Sequence, residues 1–360
     1  MEPDRAVALF RDVAEARVAA ERLMSDPYRD FVNNIDMDET LRGDLAAWEE
    51  LWLRPRALVD VSDVDTSTTV VGQHLALPVI TAPFIGSSLI DPEGEVATAR
   101  AAVAAGTVTT LSMMGSRGPE QVGAVAAGRY WQQLYFVRDR DVVADVVARA
   151  VSAGASALCL TVDLPLLPTF PGRMGAAAQA IGEYWGAGEH SMSVAREYGH
   201  LPFGSTFPNP GVSWSDVEWL RGQTDLPLIL KGIIRPEDAV LARDHGAAAV
   251  VVSNHAGQGL RWSMPVAHAL PSIVDAVGGD LDVLADSGIR TGSDVLRALA
   301  LGAKAVLVGR PVLWGLAVGG SAGVENVFRI LKTELAEAMA ITGAPRIADI
   351  DRSVLAPARP

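Results

Sequence analysis

A histidine and several charged residues stand where apolar stretches of this 360-residue chain end. The run 247–252 leads directly into Ser253-Asn254-His255, and the run 156–162 leads into Asp163. An imidazole titrates near neutral pH and can take a proton from a substrate, while a nearby carboxylate stabilises the imidazolium that results. A lone histidine is more often a core residue. His255 is therefore a candidate base, with Asp163 as its partner, if the surrounding sequence supports a site.

Two later apolar runs end in glycine and arginine. Gly288 and Arg290 follow one run, and Gly309-Arg310 follows the other. Backbone N–H groups in a glycine-rich turn bind phosphate together with a guanidinium, and αβ barrels often build such a site after their last two strands. For any single polar residue, an ordinary structural hydrogen bond is an equally good explanation. Their common placement at the ends of runs predicts one shared site.

Eight short apolar runs alternate with longer alanine-rich stretches. They cover residues 77–84, 107–113, 129–136, 156–163, 226–233, 247–255, 282–289 and 303–310. Residues that are apolar in succession are typical of parallel strands buried on both faces. Helix-opening signals such as Pro236-Glu237-Asp238 and Thr291-Gly292-Ser293-Asp294 lie between the runs. Eight such repeats close a barrel more readily than they extend a doubly wound sheet, so we predict an α/β fold, a (β/α)8 TIM barrel, with its site at the carboxyl ends of the strands.

Two segments interrupt the alternation. Residues 1–60 are predicted to be a helical extension that forms a cap on the barrel or packs on its amino-terminal end; the functional alternative is that residues near Phe31 reach the active site. Residues 61–345 form the barrel, and 346–360 form a C-terminal tail. A long loop at 164–212 follows the fourth strand and is predicted to be a lid. The helical prediction for the extension at 1–60 is based on four apolar residues at helical spacing, Leu41, Leu45, Trp48 and Leu51.

The composition argues against several classes of function. A formal net charge of −13 and a pI of about 4.9 oppose binding to nucleic acid or to an anionic membrane surface. The single cysteine, Cys159, lies in an apolar run, so we expect no intrachain disulfide and no metal site. The first residues do not resemble a signal peptide, and no apolar run has the length of a membrane span. These features predict a cytoplasmic protein that acts on a small molecule.

Residues 253–260 read SNHAGQGL. This segment resembles the signature of the FMN-dependent 2-hydroxy-acid oxidases and dehydrogenases, the relatives of glycolate oxidase, lactate oxidase and mandelate dehydrogenase, in which the usual sequence is SNHGGRQL. The resemblance extends over about residues 28–350, apart from the loop at 164–212. Further matching segments are Ala82-Pro83, Asp91-Pro92-Glu93-Gly94-Glu95, Gln133-Leu134-Tyr135, Leu160-Thr161-Val162-Asp163, Leu230-Lys231-Gly232-Ile233, Asp286-Ser287-Gly288-Ile289-Arg290, Ala300-Leu301-Gly302-Ala303 and Val308-Gly309-Arg310-Pro311.

The resemblance implies an FMN-dependent oxidoreductase acting on a CH–OH group. It implies that Lys231 lies beside the flavin ring, where a cation stabilises the reduced form. It assigns His255 as the base, with Asp163 as the carboxylate partner of that base. It assigns Tyr135 as a hydrogen-bond donor to the reacting oxygen of the substrate. The residues that it places around the ring, the ribityl chain and the phosphate are Pro83, Phe84, Ile85, Ser112, Gln133, Thr161, Lys231, Ser253, Asp286, Gly288, Arg290, Gly309 and Arg310.

The substrate-binding positions depart from the family pattern. The family arginine that holds the substrate carboxylate falls at Gln258, and an amide has neither the charge nor the fork of donors of a guanidinium. A second family arginine corresponds to Arg173 if the alignment shifts. Phe31 stands where the family has a tyrosine, and Met114 stands where it has a tryptophan. We therefore expect these residues, with Tyr135, to bind a 2-hydroxy acid or a related compound that is bulkier, aromatic or less acidic than lactate.

Other functions stay open from sequence. The stretch 208–214 is similar to its equivalent in lactate monooxygenases, which favours an oxidative decarboxylase or monooxygenase, and oxidation of a CH–NH group is a further alternative. A flavin-binding protein without turnover and an aldolase that uses Lys231 as a Schiff base complete the set. Oxygen or another electron acceptor is expected to reoxidise FMN. Because family members are often tetramers, a homo-oligomer is expected.

Overall fold

A parallel barrel forms the centre of the computed structural model, which describes residues 9–34, 38–166, 171–185 and 209–356. Its strands follow an outer hairpin, β1 (Thr68–Val70) and β2 (Gln73–Leu75), in the chain. The barrel strands are β3 (Val79–Thr81), β4 (Thr109–Ser112), β5 (Tyr130–Leu134), β6 (Ala157–Thr161), β7 (Leu228–Ile233), β8 (Ala249–Val252), β9 (Asp282–Ala285) and β10 (Ala305–Val308). Each lies inside one of the eight runs identified in the sequence, and neighbours along the sheet pair in parallel. The predicted TIM barrel is confirmed.

Threonine hydroxyls help to close the barrel between β3 and β4. The backbone N–H of Thr81 donates to the carbonyl of Val108 at 3.3 Å, and the hydroxyl of Thr107 donates to the carbonyl of Val79 at 2.6 Å. The backbone N–H of Thr110 donates in turn to the Thr81 hydroxyl at 2.9 Å. These bonds satisfy edge groups that an open sheet would leave unpaired.

The hairpin β1–β2 covers the amino-terminal end of the barrel. Val70 and Leu75 are fully buried and pack with side chains of the barrel interior such as Ile80 and Leu307. The turn residues Val71 and Gly72 have φ values of 50° and 71°. Asn-Gly or Asp-Gly is the usual signal for such a turn. Because this chain has Val-Gly there, the hairpin was not predicted.

Helices surround the barrel in the order expected for βα repeats. They are α1 (Val13–Leu23), α2 (Asp26–Val32), α3 (Glu39–Glu49), α4 (Glu95–Ala104), α5 (Pro119–Ala126), α6 (Arg140–Ser152), α7 (Gly172–Trp185), α8 (Trp214–Arg221), α9 (Pro236–Asp244), α10 (Val266–Val277), α11 (Gly292–Ala300) and α12 (Arg310–Thr342). The predicted start signals hold, since Pro236 opens α9 and the Thr291 side chain accepts from the backbone N–H of Asp294 to cap α11. None of the described helices is long and apolar enough to span a bilayer.

The N-terminal extension lies over the carboxyl ends of the strands. The Tyr28 hydroxyl in α2 donates to the carbonyl of Ile85 at 2.9 Å, and the Trp48 indole N–H in α3 donates to the carbonyl of Ser287 at 2.8 Å. Both acceptors follow carboxyl ends of barrel strands. Of the two placements predicted for the extension, these contacts contradict packing on the amino-terminal end and agree with a cap, and they also agree with the alternative that the chain near Phe31 lies at the site.

The insertion after β6 is not loop throughout. It contains α7, which packs against α2 of the extension. Residues 167–170 and 186–208 of the predicted lid, including the start of the monooxygenase-like stretch, lie outside the described residues. The tail pairs with the extension, because the backbone N–H of Arg54 donates to the carbonyl of Val354 at 2.8 Å.

Candidate active site

The candidate base lies on a strained turn after β8. His255 and Ala256 both have left-handed backbones, with φ of 54° and 51°. The Ser253 hydroxyl accepts from the N–H of His255 at 3.2 Å, and the Asn254 side-chain oxygen accepts from the N–H of Ala256 at 2.9 Å. Non-glycine residues rarely adopt this conformation unless the surroundings enforce it. Such strain is common at functional sites.

Asp163, just beyond β6, pairs with this histidine. Its Oδ1 lies 3.0 Å from Nδ1 of His255, and both side chains are largely buried. Burial raises the pKa of the Asp163 carboxyl, but the charges of His255 and Lys231 and the hydrogen bond from His255 outweigh it, so the pKa is lowered overall. Among the described residues, nothing hydrogen-bonds the other oxygen, Oδ2. The carboxylate is ionised and held against the imidazole.

Lys231 in β7 brings a buried cation to the same end of the barrel. Its Nζ lies 3.1 Å from Oδ2 of Asp286 and donates to the Ser253 hydroxyl at 3.0 Å. Burial lowers the pKa of this ammonium, but Asp286 and Asp163 outweigh burial and raise it. A Schiff-base lysine needs a neutral amine, so this environment contradicts the aldolase alternative.

A row of buried polar side chains continues across the neighbouring strands. The Ser112 hydroxyl of β4 donates to Oε1 of Gln133 in β5 at 3.2 Å, and Nε2 of Gln133 donates to the Thr161 hydroxyl in β6 at 3.0 Å. Thr161 is the register partner of Lys231. Parallel strand register therefore brings four of the predicted flavin contacts together. Pro83, Phe84 and Ile85, partly buried, follow β3 at the same end.

Two partly buried arginines lie after β9 and β10. Arg310 Nε donates to the carbonyl of Val32 at 2.6 Å, and the Arg290 guanidinium lies 5.2 Å from the ring centre of Trp314. Burial, and then the charge of Arg310, lower the pKa of Arg290 to about 9; burial lowers that of Arg310 to about 10. Because the charge of Arg310 disfavours the protonated form of Arg290, an anion bound beside these guanidinium groups would be stabilising. These residues, with Gly288 and Gly309, fit a phosphate group.

The predicted substrate contacts occupy several segments. Nε2 of Gln258 donates to Oδ1 of Asn34 at 3.2 Å, and Asn34 donates to the carbonyl of Ala256 at 2.7 Å. The exposed Arg173 in α7 binds both carboxylate oxygens of Asp30 in α2, at 2.6 and 2.8 Å. Asn34 thus links Gln258 to the turn that carries His255 and Ala256, called here the base turn. Arg173 has a carboxylate partner within the protein, Asp30. Phe31 is half-buried in α2, and Met114 is buried after β4.

Sequence reasoning missed three residues of this region, Asn34, Asp44 and Asn254. Asn254 lies inside the signature, between two residues that were singled out. Asp44 shares a helical face with Leu41 and Trp48, so a charged residue on an apolar face was the available signal. No sequence pattern pointed to Asn34, whose role depends on how the extension meets the barrel.

Tyr135, which follows β5, borders a cavity of about 360 Å³ beside the site. Other lining residues are Phe136, Thr161, Leu164 and Trp214. Burial, and then the negative charge of Asp163, raise the pKa of the Tyr135 phenol. Its hydroxyl therefore stays protonated at neutral pH and can donate a hydrogen bond.

Comparison with known proteins agrees with this geometry. A family model described as FMN-dependent dehydrogenase matches residues 19–357. The L-lactate oxidase of Nostoc sp. is 43% identical over 340 residues, covering 90% of this chain and 92% of the relative. Glycolate oxidase 1 of Zea mays is 38% identical, covering 93% of this chain and 92% of the relative. A crystal structure of mandelate oxidase superposes with a TM-score of 0.84 at 37% identity, covering 94% and 96% of the two chains.

The buried lysine and the row of polar side chains on neighbouring strands lie together at the carboxyl end of the barrel. The chain belongs to the FMN-dependent dehydrogenase family and is an FMN-dependent oxidoreductase.

Proposed function

We propose that this enzyme oxidises the CH–OH group of a 2-hydroxy acid or a close derivative, with His255 as the base. The observation that carries the proposal is the His255–Asp163 pair, 3.0 Å apart, beside the Lys231–Asp286 pair. The relatives named lactate oxidase, glycolate oxidase and mandelate oxidase support the same reaction. Oxidases use oxygen, which makes oxygen the proposed acceptor.

The arrangement of the pair assigns the proton positions. Because Nδ1 of His255 faces the Asp163 carboxylate, it carries the proton, and Nε2 is left with the lone pair that accepts a proton from the substrate. The ionised Asp163 stabilises the imidazolium that forms. The protonated Tyr135 donates to the substrate oxygen. The proton that Nε2 takes is that of the substrate hydroxyl, and FMN, when bound, would supply the acceptor for the C–H hydrogen together with its two electrons, a hydride.

We propose that the flavin ring is held by the row of polar strand ends and that Asp286 binds the ribityl chain. The backbone of Pro83, Phe84 and Ile85 passes the ring, and Ser253 orients the Lys231 ammonium by the 3.0 Å hydrogen bond. The phosphate is bound by Arg290 and Arg310 with the backbone at Gly288 and Gly309. The residues assigned to the ring are Ser112, Gln133, Thr161 and Lys231.

The proposed substrate is bulkier or less acidic than lactate. Gln258 contributes a neutral amide beside the base, and the Arg173 guanidinium already binds the carboxylate of Asp30. The walls of the cavity next to Tyr135 are mixed, and the rings of Phe136 and Trp214 among them suit an aromatic substituent. Among structural relatives, a mandelate oxidase variant was crystallised with 2-hydroxy-phenylacetamide, a neutral compound of this shape.

Anaerobic bleaching of the flavin tests both parts of the proposal. L-Lactate, glycolate, mandelate and 2-hydroxy-phenylacetamide are compared at equal concentrations. We expect the aromatic compounds to bleach the flavin faster than the small acids. If L-lactate bleaches it as fast as any larger compound, the altered substrate pocket is refuted while the reaction stands. A yellow protein that no 2-hydroxy compound bleaches supports the flavin-binding alternative, and a decarboxylated product in air supports the monooxygenase alternative. The homo-oligomeric state and the cytoplasmic location stay predictions.

A further inference from the structure

A buried carboxylate in the N-terminal extension contacts the turn that carries the base. Asp44 in α3 has no solvent exposure. Its Oδ1 accepts from Nδ2 of Asn254 at 2.9 Å and from the backbone N–H of Val266 at 2.9 Å, and its Oδ2 accepts from the same Nδ2 at 3.0 Å. Burial raises the pKa of this carboxyl to about 7. A carboxyl group held in this position at a cost in hydration calls for an explanation.

The contacts of Asp44 join the two ends of the loop after β8. Asn254 immediately precedes His255, and Val266 opens α10 at the other end of the loop. Oδ1 of Asn254 accepts from the backbone N–H of Ala256 at 2.9 Å, and its Nδ2 also donates to the carbonyl of Met264 at 3.2 Å. Asn254 is thus fixed by the loop on one side and by Asp44 on the other.

The turn needs such restraint because its backbone is strained. Left-handed backbones are unfavourable for non-glycine residues, and two successive residues, His255 and Ala256, adopt one. If Asn254 rotated away, Ala256 would lose its hydrogen bond and the turn would relax to a different conformation. The imidazole would then leave the position that faces Asp163.

Tight packing fixes Asp44 itself. A Cβ placed on Gly288 would lie 3.1 Å from Cβ of Asp44 and 2.8 Å from Cδ1 of Trp48, so α3 is pressed directly against the turn after β9. The charged groups that act on Asp44 are Asp286 after β9 and Arg310 at the start of α12, and Asp44 in turn acts on Arg290. Asp44 therefore lies between the base turn and the arginines assigned to the phosphate.

We propose that Asp44 is a positioning residue that, through Asn254, fixes the imidazole of His255 for proton transfer. The inference rests on the proposed function, because it takes His255 as the base. It assigns a part in the reaction to the N-terminal extension, through a residue whose hydrogen bonds go to Asn254 and to the start of α10.

Three substitutions in the FMN-loaded enzyme test the proposal. Asp44→Ala removes both acceptors, and a misplaced base should lower the rate constant of anaerobic flavin reduction by about 10- to 100-fold, with a much smaller change in KM and with FMN still bound. Asp44→Asn keeps one oxygen for Asn254 and Val266 and should recover most of the rate. Asp44→Glu keeps the charge but moves the oxygens, so it should resemble Asp44→Ala.

A matched control separates positioning from loss of stability. Asp282 also joins distant segments, accepting from the backbone N–H of Val71 at 2.7 Å and pairing with Lys304, but it lies at the amino-terminal end of β9. Asp282→Ala should lower the melting temperature without slowing flavin reduction.

A wild-type rate of flavin reduction in Asp44→Ala would overturn the proposal. If Asp44→Ala does not fold, a wild-type rate in Asp44→Glu would overturn it instead. An Asp44→Asn enzyme as slow as Asp44→Glu also contradicts it. If replacing His255 leaves the rate of flavin reduction unchanged, the assignment of His255 as the base is wrong. That result distinguishes failure of the proposed function from failure of the proposed role of Asp44.

Discussion

The two halves of this site are built differently. On the proposed flavin side, Lys231, Gln133 and Thr161 stand on barrel strands, are buried, and hydrogen-bond to neighbours fixed by the sheet register. On the proposed substrate side, Gln258 lies on a turn and Arg173 on an inserted helix, and their partners, Asn34 and Asp30, come from the N-terminal extension. These flavin-side residues belong to the barrel strands themselves, whereas the two substrate-side residues depend on contacts between segments far apart in the chain.

This difference offers a reason for the departure from the family pattern that the sequence predicts on the substrate side. Replacing Lys231 would leave Asp286 as a buried carboxylate without its cation, which costs several kcal/mol in typical proteins. Replacing an arginine by Gln258 on a turn leaves a neutral side chain that finds a partner in Asn34. The substrate side can therefore change without loss of the fold, and its specificity is the less predictable property.

The largest expected effect is on the residue where the two halves meet. His255→Asn should slow anaerobic flavin reduction by roughly two to four powers of ten, the usual contribution of a general base, while FMN stays bound. Asparagine tolerates the left-handed backbone at this position, so the turn should persist. The control is His268→Asn, on the exposed surface of α10. Rapid reduction in His255→Asn would move the base to another residue.

The next effect separates the two halves by their arginines. Arg310→Ala removes a partly buried guanidinium from the proposed phosphate site and should weaken FMN binding by roughly 10- to 100-fold, the value of a charge-assisted hydrogen bond. Arg173→Ala should leave FMN affinity unchanged, because its partner is Asp30. Fluorescence titration of the apoprotein with FMN measures both. Equal losses in the two variants would show that the halves are not independent.

Much of the barrel and of the flavin side follows from the sequence. Strand ends in a parallel barrel meet at one end, so the sequence positions of Lys231 and Asp286 imply their proximity, and the structure places them 3.1 Å apart. The location of the N-terminal extension did not follow, because an amphipathic helix reveals its buried face and not the surface that it covers. The contacts of Asn34 and Asp44 depend on that location and were missed for the same reason.

The substrate half is tested by restoring charge. Gln258→Arg should raise flavin reduction by L-lactate and glycolate by roughly tenfold or more, since a guanidinium gives a carboxylate a bidentate contact. Arginine can also keep a hydrogen bond to Oδ1 of Asn34, the present partner of Gln258. Gln258→Met, of similar size without donors, is the control and should give no gain. An equal gain in both variants would attribute the effect to pocket shape.

The last effect concerns stability and not rate or binding: it is a pH dependence that arises at Asp44, where the extension meets the barrel. The carboxyl has a pKa of about 7 in the folded protein against an ordinary value of 3.8. Between these values the folded state keeps a proton that the unfolded state has released, so this group's contribution to stability falls as pH rises, by up to about 1.4 kcal/mol per pH unit. Asp44→Asn removes this contribution and leaves the other titrating groups in place.

Urea unfolding of wild type and Asp44→Asn at a fixed excess of FMN, from about pH 5 to pH 8, measures this contribution. The free energy of unfolding of wild type should fall relative to that of the variant as pH rises, and the difference should level off above pH 7. Parallel curves would mean that Asp44 is ionised throughout this range, and that the extension holds its carboxylate on the base turn at every pH tested.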